Sequence, residues 1–385
     1  GTMIEKALKG SGPYRTWLSF LLAVVVAGFI SYLYQWHRGL SVTGLSRSVS
    51  WGLYIANFTF FVGVAASAVT VVLPYYLHNV KEFGKITILG EFLAVPAVLM
   101  SFLFIIVDLG RPDRAFNMIL HPTPTSLLFW DMIVLNGYLL LNLLIGWSTL
   151  DAEAKEEKPL PWIRFLILLS IPWAVSIHTV TAFIYQALVA RPLWHTPLWA
   201  PRFLASAFAS GPALLILMSL FIRRVSRFDP GDAAIQKVAT IIVYSLLVNI
   251  FLLTVELFTT LYGSVPADVE HLRYLFLGIG GHKALAPWIW LSMVLMGGSA
   301  LALLSARLRR REGALALTCV AIIVGVWIDK GLGLVVPGFI PSPLGDITEY
   351  GPTLPEVLIV IGVWAFGGLL ITLLYRVALY VKVER

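Results

Sequence analysis

Long apolar runs set the terms for this chain. They fall at roughly 17–36, 51–75, 86–107, 126–147, 162–190, 203–222, 238–262, 284–306, 315–336 and 355–381. Each is near the ~20 residues an α-helix needs to cross the hydrocarbon layer. Backbone groups in lipid must be satisfied within the segment, and these runs are continuous rather than alternating, so helices are expected and a barrel is not. The sequence predicts an all-α integral membrane protein with ten transmembrane helices. Charge is scarce along the whole length: 13% of 385 residues are Asp, Glu, Lys or Arg, against about 25% in soluble proteins. A soluble domain with one anchor does not fit. The first run is longer than a signal h-region and is read as a span.

The net charge of +7 is then a topology signal, not a footprint for nucleic acid. Ten spans put both termini on one side. That side holds 19 of the 28 Lys and Arg, and the other holds 9. The positive-inside rule therefore predicts cytoplasmic termini and a multi-pass protein of the inner membrane. The opposite, outer loops are rich in aromatics, Pro and Gly: "RPLWHTPLWAPR", "DLGRPDRAFNMILHPTPT" and "VPGFIPSPLGDITEYGPTLPE". Such loops suit capping a site or packing on a partner. Spans 2–5 and 6–9 both open with small residues, "GVAASA" and "SAFASGPA", which let helices approach closely. The expected organisation is a tail and first helix (1–50), a four-helix bundle (51–190), a second four-helix bundle (191–336), and an outer loop with the last helix (337–385).

Ionisable groups inside a membrane are costly and are functional candidates by default. Asp131 lies near the outer end of span 4, Glu256 near that of span 7, and Glu91 near the cytoplasmic end of span 3. Asp108 and Asp329–Lys330 lie at or near outer helix ends. His178 is about a dozen residues, ~18 Å, below the outer end of span 5. Plain structural roles stay open for each. Asp108 can belong to a turn, Asp329 and Lys330 can neutralise each other, Glu91 can snorkel, and Asp131 can face a helix dipole. His178 can hydrogen-bond a neighbouring helix.

Only His178 of seven histidines is deep, which argues against a transmembrane b-type cytochrome. The single cysteine, Cys319, excludes an internal disulfide, a Cys-ligated iron–sulfur cluster and a C-x-x-C-H haem attachment. No haem, cluster or metal site is expected in this chain. What remains is proton-linked chemistry with a lipid-soluble partner. Oxidising a quinol needs an acceptor for each of two protons, and a His with a carboxylate provides that. Tyr185 lies two turns from His178 on about the same face. "WGLYIANF" aligns Trp51, Tyr54, Asn57 and Phe58 in a stripe at the same depth; an interfacial aromatic belt would read the same way.

These pieces resemble the NrfD/polysulfide-reductase (PsrC-like) membrane subunits. The similarity rests on "WGLYIANFTFFVGVAASA" (51–68), "VDLGRPDRAFNMILHPTPTS" (107–126), "SIHTVTAFIYQALVARPLWHTPLWAPRFLASAFASG" (176–211) and "YGPTLPE" (350–356). Ten spans look most like DsrP, of the DsrMKJOP complex linked to dissimilatory sulfite reduction. The resemblance implies non-covalent menaquinone near the outer face, surrounded by the span-2 positions, Asp131 and His178, with Asp108 and Arg111 at the cofactor. It implies a ferredoxin-like iron–sulfur subunit docked on the outer face, with a multihaem cytochrome c and further redox subunits in the complex. It also implies a proton path through Glu91, Glu256 and Asp329, bridged by Asn136, Asn142 and Ser176. Two other classes stay open: a secondary transporter, since Pro96 and Pro172 lie inside spans, and a structural anchor with no quinone chemistry.

Overall fold

The computed structural model describes residues 3–384; Gly1, Thr2 and Arg385 lie outside them. Among the described residues, ten helices are long and apolar enough to cross a membrane. They are α1 (Gly12–Arg38), α2 (Leu53–Leu77), α3 (Thr87–Asp108), α4 (Leu127–Ala154), α5 (Pro161–Gln186), α6 (Trp199–Val225), α7 (Asp232–Gly263), α8 (Ala286–Leu304), α9 (Glu312–Val335) and α10 (Leu354–Leu379). There is no β-strand among the described residues, only an isolated bridge between Ile279 and His282.

Two closed rings organise these helices. In the first, α2 packs on α3, α3 on α4, α4 on α5, and α5 back on α2. In the second, α6 packs on α7, α7 on α8, α8 on α9, and α9 back on α6. The rings meet along α2–α6 and α5–α6, while α1 lies on α10 and α10 on α3. Burial follows from this plan. The most apolar window of α2 is 89% buried and that of α1 only 17%, so α2 is central and α1 faces lipid along most of its length.

The small-residue stretches predicted to permit close approach meet each other. A Cβ added to Gly211 of α6 would stand 2.0 Å from the Ser67 Oγ of α2, so this crossing needs glycine. Ser67 turns its hydroxyl onto the Val64 carbonyl at 2.6 Å, and α2 breaks between Ala66 and Val69.

Two predicted boundaries shift. α5 stops at Gln186 rather than near 190, and the chain passes through tight turns over 187–191 before Pro192, whose preceding residue is itself biased out of the helical region. α6 starts at Trp199 rather than near 203. Pro201 is tolerated in its first turn, where the N–H it lacks would have had no helical acceptor. His178 therefore sits eight residues below the end of α5, about 12 Å, and not a dozen residues down. The loops after α1, α3, α5, α7 and α9 gather at one end of the molecule, termed here the aromatic end.

Candidate functional site

The inner face of α5 carries His178, Thr181 and Tyr185 at spacings of three and four, one above another on the helix, all buried. Each meets a different neighbour. The Thr181 hydroxyl donates to Asp131 Oδ1 of α4 at 3.0 Å. The Tyr185 hydroxyl lies 2.7 Å from Thr59 Oγ1 of α2. Tyr185 is also within electrostatic range of Asp131 and Asp108. Tyr54 in turn is within range of Asp108, Glu356 and Tyr32. Four residues singled out from sequence, Tyr54, Asp108, Asp131 and Tyr185, thus share one neighbourhood around the first half of α2. Asp108 Oδ1 is buried there without a hydrogen-bond partner.

Aromatic side chains close this neighbourhood from the aromatic end. Trp51 stacks on Trp194 at 5.7 Å and meets Tyr185 and Phe339 edge-on at 5.9 and 5.8 Å. Trp194 is fully buried and donates from Nε1 to the Leu334 carbonyl at 2.8 Å. The "RPLWHTPLW" loop therefore caps the site through its tryptophan. His195 is exposed and holds the loop, with Nδ1 2.8 Å from the Gln186 carbonyl.

Behind the plug, His271 of the connecting helix Pro266–Phe276 places Nδ1 2.8 Å from the Pro337 carbonyl. Burial pushes its pKa down; the Pro337 and Ile340 carbonyls and Asp268 oppose the shift, and Arg191 adds to it. A histidine with a depressed folded pKa stabilises above its unfolded value, about 6.5, and that contribution is lost as pH falls below it. Amide protection across 336–353, taken relative to the intrinsic exchange rate at each pH, is therefore expected to fall more between pH 7.5 and pH 5 than protection in α2 does. A His271→Gln variant should lose that difference; an unchanged pH response in the variant would assign it to another group.

His178 faces the seam between the rings. Its ring is fully buried and stacks on Phe203 of α6 at 4.9 Å. Neither ring nitrogen has a hydrogen-bond partner. Lys330 of α9 approaches the same point, donating from Nζ to the Phe203 carbonyl at 2.9 Å. A Cβ on Gly63 would lie 2.6 Å from Lys330 Nζ and 3.1 Å from His178 Nε2, so a side chain there would displace the end of Lys330 from this junction. Lys330 reaches it because α9 widens into a π-turn over Ile328–Leu332.

That turn also aims Asp329 at Arg202 of α6, at 3.4 Å. Arg202 binds Glu256 of α7 through its other terminal nitrogen and lies over the Trp199 ring at 4.3 Å. Asp329 and Lys330 are within electrostatic range of each other inside a wider arrangement, in which their hydrogen bonds go to Arg202 and to Phe203. A cavity of about 10 Å³ lies among Arg202, Ser206, Asn249, Asp329 and Lys330.

Other predicted residues are engaged elsewhere. Asn57 faces away from α5: its Oδ1 accepts from the indoles of Trp327 and Trp364 at 2.9 and 3.1 Å, and its Nδ2 donates to the Leu53 carbonyl. Arg111 is exposed and pairs with Asp113 at 2.8 Å. Glu91 is buried near the opposite end of α3, within range of Lys382. Asn136, Asn142 and Ser176 each donate one hydrogen bond to a carbonyl of their own helix.

Sequence reasoning missed Arg202, Phe203, Gln35 and Glu356 as parts of this region. Gln35 of α1 donates to the Val107 carbonyl and accepts from the Tyr54 hydroxyl, both at 2.7 Å. Glu356 is fully buried and accepts from the Tyr350 hydroxyl and the Gly44 N–H. Tyr350 Oη also accepts the Leu53 N–H at 3.0 Å, which ties the start of α2 to the last loop. A T-x-x-E spacing at Thr353–Glu356 is a capping-box signal, realised here.

The family profile described as "Polysulphide reductase, NrfD" matches residues 41–340. Among curated proteins, the Hdr-like menaquinol oxidoreductase integral membrane subunit of Archaeoglobus fulgidus is 26% identical over 71% of this chain and 67% of its own. Protein NrfD of Escherichia coli is 27% identical over 73% of this chain and 92% of its own. A selenate reductase subunit of Mesobacillus selenatarsenatis is 25% identical, covering 89% of this chain and 88% of its own length.

Proposed function

The chain belongs to the polysulphide reductase NrfD family, and on that premise we propose that it is the quinone-reactive membrane subunit of a respiratory oxidoreductase. The quinone is of the menaquinone type, bound non-covalently at the aromatic end beside Trp51, Tyr54, Asp108, Asp131 and Tyr185. That end faces out of the cytoplasm and docks a ferredoxin-like iron–sulfur subunit; the termini are cytoplasmic. Dissimilatory sulfur metabolism, with a multihaem cytochrome c in a DsrP-type complex, is the finer assignment.

The observation that carries this reading is His178. Two unpartnered ring nitrogens on a fully buried side chain cost about 1–3 kcal/mol each in desolvation, a burden that suits a proton acceptor better than a structural contact. The donor set fits a quinol as well: Asp131 has a carboxylate oxygen beyond the one held by Thr181, and Asp108 Oδ1 has no partner.

A bound quinol supplies two electrons and two protons. Asp131 accepts one proton, with Thr181 fixing its carboxylate on α4–α5. His178 accepts the other at a ring nitrogen. Thr59 holds the Tyr185 hydroxyl in line with α5, and the Trp51–Trp194–Phe339 plug keeps bulk water out of the neighbourhood. Glu91 at one end and Glu256 with Asp329 in the second ring are proposed to carry protons further. The second amide hydrogens and the carbonyl oxygens of Asn136 and Asn142 are what such a path would use between them.

In the assembled complex reconstituted in liposomes, Asp131→Asn is expected to lower quinol-dependent reduction of the iron–sulfur partner by about 10²-fold or more, the usual worth of a positioned acid or base. The subunit should remain assembled. Wild-type turnover in this variant would remove Asp131 from the chemistry. Solute-dependent uptake with no response to quinol would replace the whole reading by a transporter.

A further inference from the structure

A cavity of about 150 Å³ lies outside the α5 stripe. It opens between the end of α1 and the turn that follows α3. Tyr32, Gln35 and Trp36 line it from α1, Leu40 from the next turn, and Leu109 and Arg111 from across the gap. A void of this size holds one aromatic ring, since a ~150 Å³ apolar cavity takes up benzene, and because the cleft is open at its mouth the second ring of a naphthoquinone can extend from it.

Its walls are matched to an amphipathic ring. Tyr32 and Trp36 meet edge to face at 6.1 Å, and Trp36 is 57% exposed at the end of the most lipid-facing helix. Interfacial tryptophan and tyrosine at such a helix end sit at the boundary where amphipathic molecules collect. The Tyr32 hydroxyl is buried without a partner. The floor is polar: Gln35 is only 3% exposed, and its amide bridges the Val107 carbonyl and the Tyr54 hydroxyl. The second amide hydrogen and the second lone pair of Gln35 are not used by those two bonds. Asp108, the residue after Val107, is within electrostatic range of Tyr54 and carries an unpartnered oxygen. Gln35 thus lines the cleft and bonds directly to Tyr54, a member of the neighbourhood of Tyr54, Asp108 and Tyr185.

We propose that this cleft is a second, lipid-side binding site for a quinone-class headgroup, staged in front of the Asp108–Tyr185 neighbourhood, with Gln35 as its floor and positioning residue. The inference rests on the quinone reading above. No bond changes in the cleft. The planar ring lies against Tyr32 and Trp36, a ring oxygen takes the free Gln35 N–H, and the Tyr32 hydroxyl donates to the same ligand. Rotation of Gln35 away from Tyr54 would open the way inward. The helix that makes the cleft, α1, belongs to neither four-helix ring, so the site is an addition to the chemistry of the rings rather than part of it.

The test uses the full chain in quinone-free phosphatidylcholine nanodiscs with a photoreactive azido-naphthoquinone, followed by peptide mapping. Label is expected in two places, the peptides holding 32–40 and 109–113 and the peptides of α5. Gln35→Leu should lower labelling of the first set by about fivefold to tenfold, the worth of one hydrogen bond, and spare α5. Gly110→Leu fills the cleft without touching the Gln35 bonds, since a Cβ there meets only Leu40 at 3.6 Å. It should act in the same way, and in the assembled complex it should raise KM for quinol more than it lowers kcat. Label on α5 alone in the wild-type chain would overturn the cleft and leave the quinone reading standing. Label on neither set would remove both. Cleft label displaced by phosphatidylglycerol and not by short-chain menaquinone would make it a lipid site and overturn the proposal.

Discussion

Arg202→Met is expected to destabilise the folded chain by about 3–5 kcal/mol, the loss that follows when one partner of a buried ion pair is removed. Arg202 is 4% exposed and binds both Glu256 and Asp329. Removing it leaves two carboxylates buried between α6, α7 and α9 with no cation bonded to either. Lys330 offsets only one of the two charges and bonds to neither carboxylate, because its Nζ is held on the Phe203 carbonyl. The cost should therefore fall on folding, read as earlier thermal loss of the monodisperse peak in detergent. The double variant Arg202→Met, Glu256→Gln tests the physics directly. It removes one carboxylate with the guanidinium and leaves Asp329 beside Lys330 as a balanced pair, so it should recover most of the lost stability. Equal melting of Arg202→Met and wild type would mean that the network contributes nothing to holding the second ring.

The reach of the sequence can be seen in the same residues. Apolar run length is a local property, so the ten spans are legible directly, and His178 stands out because a histidine inside such a run is conspicuous. Span ends depart from the hydropathy pattern where turn and proline chemistry outweighs it, over 187–192 and at Pro201. Arg202 reads locally as a loop cation because its partners stand 54 and 127 residues away. Helical spacing aligns Asn57 with Trp51 and Tyr54 and so places it in the site. Nothing local shows that Trp327 and Trp364, 270 and 307 residues on, take its oxygen. The depth of His178 is legible to within about a turn, but its contacts with Phe203 and Lys330 are not, since they depend on the π-turn in α9 and on Gly63. Gln35 is, in sequence, a lone polar residue near a helix end. Its role appears only once α1 is seen beside Val107 and Tyr54.

His178→Phe should separate structure from chemistry at the centre of the proposed site. Phenylalanine keeps a ring on Phe203, where His178 stacks at 4.9 Å, and it removes two buried nitrogens that have no partners. Removing unsatisfied polar atoms while conserving shape is near neutral or stabilising, so the variant should melt at or above the wild-type temperature. Quinol-dependent electron transfer in the assembled complex should nevertheless fall by about 10²–10⁴-fold, the range for loss of a general base. His178→Ala should lose the same turnover and some stability too, because it deletes the stacked ring. A purely structural histidine predicts the reverse order: the phenylalanine variant active and the alanine variant impaired only as far as it unfolds. Gly63→Ala supplies an independent check on the junction. Its added methyl would come within 2.6 Å of Lys330 Nζ and 3.1 Å of His178 Nε2, so turnover should drop with His178 still in place. If His178→Phe oxidises quinol at the wild-type rate, the orphaned imidazole is a packing feature, and proton acceptance must be sought at Asp131 and Asp108 alone.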